Sequence, residues 1–201
     1  MQVSPDWRQA PVLTGVHVRL EPLSLAHADS LLKAADDDEV FAHLKDSRPR
    51  SSTEAEQLVR KMLALCSSGE RVTWAQLDAS GAVAGTTSYL GVDPVLRTLE
   101  IGATWIGRAW WRTGVNTEAK LLLLRHAFET LGAVRVTWQT DIRNERSQAA
   151  IARLGARREG VLRKNRLRKG GGYRDSVLFA MTDDDWPAAR ERLISRLTEA
   201  A

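Results

Sequence analysis

The sequence predicts a mixed α/β fold (α+β or α/β) organised as one domain, with a central mixed sheet and helices on its faces. Three observations predict it. Segments with a strand period and segments with a helix period follow one another along the chain, in the order strand, helices, three strands, helix, strand, helix, two strands. The length, 201 residues, is that of one large domain, so residues 1–201 are read as a single unit. The balance of 43% hydrophobic and 27% charged residues fits a globular core and excludes a disordered or membrane-embedded chain.

The elements are justified in order. Residues 1–15, with Pro5 and Pro11, read as an irregular lead-in. Residues 16–23 (VHVRLEPL) alternate apolar and polar side chains, the period of a half-buried strand. Ser24 is then placed to cap a helix whose apolar residues Leu25, Ala28, Leu31, Leu32 and Ala35 recur at helical spacing. Residues 36–49 form a connector that opens with the acidic run Asp36, Asp37, Asp38 and Glu39. Ser52 or Thr53, with Glu54 and Glu56 in the first turn, starts the second helix, and Gly69 ends it. Residues 71–78 and 82–93 alternate about a Ser80-Gly81 turn and form a hairpin. Residues 98–106 make the next strand, and a long helix follows that ends at Gly132. A strand over 133–141, a short helix over 144–155 closed by Gly155, and strands over 158–169 and 173–182 about a triple-glycine turn complete the sheet. Asp183 is read as the cap of a final helix over 183–201, with Pro187 in its first turn.

The crossover from strand 98–106 through the long helix to strand 133–141 should join parallel neighbours. The helix then starts beyond the carboxyl end of its strand, where open sheets bind ligands. That start is the most informative stretch: residues 110–124 read WWRTGVNTEAKLLLL. A helix N-terminus presents unpaired amide N–H groups and a partial positive charge, which suit phosphate. Gly114 allows close approach of backbone, and Arg112 adds a cation. Trp110 and Trp111 are expected to pack at the strand exit rather than to stack on a ligand.

Composition excludes several function classes. The longest apolar run, Leu121 to Leu124, is far too short to span a bilayer, so no membrane partner is expected. The single cysteine, Cys66, cannot form an internal disulfide and is expected to be a buried thiol in the apolar series of the second helix. With no disulfide framework and no signal-like apolar run, the expected location is the cytoplasm. His17, His27, His43 and His126 have no ligand spacing, so no metal is expected, and His126 reads as a packing residue. The net charge of +4 permits an anionic partner without demanding one. It is unevenly placed, because residues 157–174 hold Arg157, Arg158, Arg163, Lys164, Arg166, Arg168, Lys169 and Arg174 against Glu159 alone. That strip is either a solvated strand edge or a contact surface for the ribosome, RNA or another anion.

Four pieces in order, EIG, GVNTEA, NERS and LGARREGVLR, resemble the GCN5-related N-acetyltransferase (GNAT) family, and within it the RimJ/RimL-type amino-terminal acetyltransferases. The resemblance is strong over residues 99–163, and the order of elements fits over residues 16–186. It implies acetyl-CoA as cofactor, with the pyrophosphate held by the loop amides of Trp111, Arg112, Thr113, Gly114, Val115 and Asn116. Trp111 and Asn116 depart from the family pattern, which has Gln or Arg and Gly or Ala there. It implies a mostly antiparallel sheet that splays between the family's fourth and fifth strands, here residues 99–106 and 134–141, with the pantetheine arm between them. Backbone N–H groups around residues 102–105 would polarise the thioester carbonyl.

The resemblance assigns Glu100 as the general base, Asn144 as a contact to the cofactor arm, and Ser147 as a group near the sulfur and a candidate acid. Some relatives carry a further carboxylate beyond EGVLR, and this sequence has Lys164, Asn165 and Arg166 there. The implied reaction is acetyl transfer to a primary amine, with a protein N-terminal α-amine such as that of a ribosomal protein as the expected acceptor. A small-molecule amine is the enzyme alternative, and a non-catalytic acyl-CoA-binding or RNA-binding protein is the alternative of another class. Either a monomer or a homodimer suits the implied fold.

Overall fold

The computed structural model describes residues 6–199, and within them five helices lie on the two faces of one eight-stranded sheet. The strands are β1 (Leu13–Thr14), β2 (Val18–Pro22), β3 (Arg71–Asp78), β4 (Val83–Asp93), β5 (Thr98–Ile106), β6 (Arg135–Asp141), β7 (Arg157–Leu167) and β8 (Tyr173–Thr182). They lie in the order β1-β2-β3-β4-β5-β6-β8-β7. Every neighbouring pair is antiparallel except β5 with β6, the parallel crossover expected from the sequence. The helices are α1 (Ala28–Ala34), α2 (Ser52–Ser67), α3 (Gly114–Arg125), α4 (Glu145–Arg153) and α5 (Trp186–Glu199).

Two apolar clusters cover the two faces of the sheet. Leu20, Trp74, Tyr89, Leu99, Ile101, Val136 and Met181 pack with Leu123 and Leu124 of α3 and Leu193 of α5. On the other face Ala75 and Trp105 pack with Leu31 of α1, Phe41 of the connector, and Val59 and Met62 of α2. Each large side chain fully buried this way contributes about 1.5–3 kcal/mol. The crossover helix is unusual: α3 buries eight of its 12 residues, including the charged Glu118 and Lys120. A helix covered nearly all round explains why its sequence shows little amphipathic contrast.

Several boundaries differ from the sequence reading, each for a local reason. The lead-in contains β1, which pairs with β2 about a turn closed by the Gly15 N–H bond to the Val18 carbonyl at 2.9 Å; residues 1–5 of that lead-in lie outside the described residues. The turn is clasped by Glu118 of α3, whose carboxylate accepts the N–H groups of Val16 (2.9 Å), His17 (2.5 Å) and Val18 (2.8 Å). The cap of α2 is Ser51, not Ser52 or Thr53, because its Oγ accepts the Glu54 N–H at 3.2 Å while the Glu54 carboxylate takes the Arg50 N–H at 2.7 Å. The helix expected to run to Gly132 leaves α geometry at Arg125 and continues as one wider π turn, with the Leu131 N–H bonded to the His126 carbonyl. Asp183 does not cap α5, which starts at Trp186; Asp185 precedes it, with its carboxylate held by the Thr182 N–H and hydroxyl. Cys66 is half-buried rather than buried, with its thiol 3.5 Å from the Thr73 hydroxyl.

Candidate active site

The sheet opens between β5 and β6. Their pairing covers only Thr98 with Arg135, Leu99 with Val136 and Glu100 with Thr137. Beyond that point β6 stays zipped to β8 as far as Asp141, and β5 stays on β4 as far as Ile106. The two facing edges therefore diverge and carry main-chain groups with no ladder partner. A bulge accompanies the divergence. Thr86 pairs with Trp105 and Ser88 with Gly102, so Ala103 and Thr104 both face the single residue Thr87. Ala103 takes a left-handed backbone, φ 47°, uncommon for a residue with a side chain.

At the open end of the split, residues 108–110 make a single 3₁₀ turn and Thr113 caps α3, its hydroxyl accepting the Val115 N–H at 3.3 Å. Between them Arg112 is exposed and left-handed, φ 62°. The Trp111 N–H is already bonded to the Arg108 carbonyl at 3.0 Å, which takes it out of the set of amides facing a ligand. The start of α3 supplies the amides of Gly114 and Asn116, with no earlier carbonyl in the helix to receive them, while that of Val115 is taken by the Thr113 cap. Gly114 is required by packing as well: a Cβ there would lie 2.7 Å from the His17 ring.

Both tryptophans pack, as expected. The Trp110 indole N–H donates to Asp78 at 2.8 Å and that of Trp111 to the Ile106 carbonyl at 3.0 Å. The Trp111 ring carries the Arg146 guanidinium at 3.8 Å, and Arg146 also pairs with Glu39 at 3.0 Å. Connector, loop and the start of α4 thus meet at the open end of the split.

Glu100 is the last β5 residue paired with β6, and its side chain is largely buried. Gln139 of β6 donates to it at 3.0 Å, Asn165 of β7 donates to Gln139 at 3.0 Å, and Arg166 lies 3.5 Å from the carboxylate. Burial pushes the Glu100 carboxyl above its ordinary value, and the Arg166 and Arg174 guanidinium groups oppose that shift. Of the three residues after EGVLR, Asn165 and Arg166 thus reach the Glu100 cluster, while the Lys164 N–H bonds Asp175. Beyond Gln139, Asp141 is buried and bonded by Arg168 at 2.9 and 3.0 Å. Burial works to raise its carboxyl, but the Arg168 bonds and the Arg143 N–H prevail and hold it below its ordinary value.

Asn144 and Ser147 sit at the start of α4, both half-buried. Asn144 caps the helix, its side-chain oxygen accepting the Ser147 N–H at 3.0 Å, which leaves its amide NH₂ out of the cap. The structure therefore gathers two groups. Glu100 is joined to Gln139, Asn165 and Arg166 at the root of the split, while the α3 loop and the Asn144 turn stand at its open end. His126 is a packing residue, buried and 3.4 Å from the Tyr89 hydroxyl. No cluster of metal-ligating side chains occurs among the described residues.

Sequence reasoning missed Gln139 and Lys120. Gln139 had a signal, a polar residue at an inward position two before Asp141. Lys120 had a fainter one, a lone cation directly before four leucines. It is buried, and its amine donates to Thr104 at 2.7 Å and Thr87 at 3.0 Å.

Residues 17–157 match the Acetyltransferase (GNAT) domain family. A solved GCN5-related N-acetyltransferase from Brucella melitensis is 31% identical, with a TM-score of 0.88 over 97% of this chain and 87% of that one. A solved chain from T. thermophilus is 43% identical, with a TM-score of 0.83 over 98% of this chain and 100% of that one. The ribosomal protein uS5-alanine N-acetyltransferase of Escherichia coli (strain K12) is 35% identical over 85 residues, 42% of this chain and 43% of that protein. The chain spans about half the length of the curated relatives it matches first.

Proposed function

This chain belongs to the GNAT acetyltransferase family, and from that membership we propose that it moves the acetyl group of acetyl-CoA onto a primary amine, the α-amine of a protein N-terminus such as that of a ribosomal protein. The observation that carries the reading is the split beyond Glu100 with the start of α3 at its open end. The residues fit the cofactor. The diverging edges offer main-chain partners for an amide-bearing arm, and the first turn of α3 with Arg112 offers amides and a cation for pyrophosphate. Trp138, the first β6 residue past the last β5–β6 pair, carries a buried indole N–H with no partner.

The bound cofactor supplies the electrophilic carbonyl of an acetyl thioester. Glu100, held by Gln139 and made more basic by burial, takes the proton of the acceptor amine as nitrogen bonds to carbon. Ser147 would pass a proton to sulfur as the carbon–sulfur bond breaks and regain one from solvent, to which Glu100 releases its own, and the Asn144 cap fixes Ser147 at the first turn of α4. Main-chain groups of the β5 bulge face the charge that gathers on the carbonyl oxygen. Of the loop residues Trp111 to Asn116, Arg112 would meet the pyrophosphate with its cation and Gly114 and Asn116 with their amides, while the N–H groups of Trp111, Thr113 and Val115 are bonded within the loop.

The acceptor class is supported by the name of the Escherichia coli relative. The acidic connector does not favour a polycationic acceptor, since Asp37, Asp38 and Glu39 are paired with Arg108, Arg50 and Arg146. A ribosomal acceptor would place the protein in the cytoplasm. Calorimetric titration with acetyl-CoA and with dephospho-CoA, followed by mass spectrometry of a panel of N-terminal peptides and small amines, tests the reading. Micromolar binding with acetylation of a peptide α-amine supports it. Acetylation of small amines alone moves the acceptor to that class, and no binding of acetyl-CoA removes the reading.

A further inference from the structure

Lys120 has a buried amine at a position that stability does not explain. Its nitrogen bonds only hydroxyls, Thr104 at 2.7 Å and Thr87 at 3.0 Å, and the two hydroxyl oxygens are 2.8 Å apart. Among the described residues it forms no salt bridge. An ammonium group withdrawn from water without a carboxylate destabilises a fold. The neighbouring titratable groups are committed elsewhere: Glu118 of α3 holds the β1–β2 turn, and His126, in the π turn after α3, packs near Tyr89, itself bonded to the Leu123 carbonyl.

The place is specific. Thr104 is one of the two bulged residues of β5, Thr87 is the β4 residue they share, and the other bulged residue is the left-handed Ala103. Strained backbone persists only where its surroundings over-determine it. The triangle of Lys120, Thr87 and Thr104 ties helix, β4 and β5 together at that point. The other edge of the same stretch of β5 faces the split and has no ladder partner.

Resting on the acetyl-transfer reading above, we propose that Lys120 is a positioning residue that clamps the β5 bulge and places positive charge behind the main-chain groups that polarise the thioester carbonyl. During transfer the amine nitrogen bonds to the carbonyl carbon, the carbon–sulfur pair leaves with sulfur, and negative charge passes through the carbonyl oxygen. The amine proton goes to Glu100, which releases it to solvent, sulfur is protonated through the Ser147 hydroxyl, which regains its proton from solvent, and Lys120 exchanges no proton with either reactant. Fixed dipoles backed by a cation in a dry site stabilise such charge at no cost in reorganisation. Burial pushes the amine down to about 7, so the cation is present below that pH and fades above it.

Isotope-edited infrared spectroscopy of acetyl-CoA labelled with carbon-13 at the carbonyl, bound to the full chain, reads the polarisation without an acceptor. The wild type should move the carbonyl stretch below its value in free acetyl-CoA. Lys120→Met and Thr104→Val should return it toward the free value while CoA affinity changes by less than about threefold, and turnover should fall in kcat more than in KM. Thr104→Val keeps the side-chain shape and serves if Lys120→Met does not fold. An equal shift in wild type and both variants, or no shift in the wild type, overturns the role of Lys120 and leaves the acetyl-transfer reading standing. A wild type that binds no acetyl-CoA overturns that reading, and this one with it.

Discussion

At the scale of single residues, Glu100 and Lys120 titrate in environments that oppose their charges, and each makes a signed prediction. Burial raises the Glu100 carboxyl and Arg166 counters it. A base must be ionised to act, so kcat/KM should fall as pH drops through the raised value. Arg166→Gln removes the countering charge, so the acid limb of the pH–rate profile should move to higher pH. A limb that stays put or moves down would separate Glu100 from proton transfer. Lys120 runs the other way: its folded pKa, about 7, lies below the ordinary lysine value of 10.5. The unfolded chain binds that proton more tightly, so this residue's contribution is fully present above the unfolded value and is lost as pH falls toward 7. Relative to Lys120→Met, the wild type should gain thermal stability as pH rises from about 7 to about 10. Parallel melting curves at every pH would show that the amine is not desolvated.

At the scale of elements, α3 joins the parts of the site. It starts at the open end of the split, its fifth residue clasps the β1–β2 turn, and its seventh clamps the β5 bulge. Glu118→Ala leaves three N–H groups of that turn, two partly buried and that of Val18 buried, without an acceptor. The expected loss is about 3 kcal/mol in urea unfolding, and a loss under about 1 kcal/mol would mean the turn is held by its own backbone. How much of this was legible follows from what local sequence can encode. Alternation over β3 and β4 and the parallel crossover were readable because hydrophobic period and connection handedness are general. Caps were misplaced where several equivalent residues compete: Ser51, Ser52 and Thr53 differ only in which one the Glu54 and Arg50 contacts select, and three aspartates precede Trp186. The bulge left no mark, because Gly102, Ala103 and Thr104 read as ordinary strand and a left-handed alanine has no sequence signature. Glu100, Asn144 and Ser147 were reached through motif resemblance. Gln139 and Lys120 depend on which strands lie side by side, which no local pattern states.

At the scale of the whole molecule, the charge a partner meets is smaller than the sequence implies. The acidic connector is spent on Arg50, Arg108 and Arg146. Half of the basic strip is spent as well: Arg157 pairs with Asp185, Arg166 with Glu100 and Arg168 with Asp141, while Arg174 bonds Ser176 and the Gln139 carbonyl. Among the described residues, Arg158, Arg163, Lys164 and Lys169 form no ion pair, and all four are exposed on β7 and the turn after it. That strand is the sheet edge, where charge also discourages pairing with another chain. Four cations set the scale of any contact with RNA. A single strand that meets all of them should lose affinity with salt at a log–log slope of about 3, against about 6 for the whole strip. We expect binding of short single-stranded RNA to be weak and its slope to be no steeper than about 3. Replacing Arg163, Lys164 and Lys169 by Gln should reduce the slope to about 1 and leave acetyl-CoA affinity unchanged. A slope near 6 would mean that the pairs to Glu100, Asp141 and Asp185 open when RNA binds, which would couple RNA docking to Glu100, the proposed base.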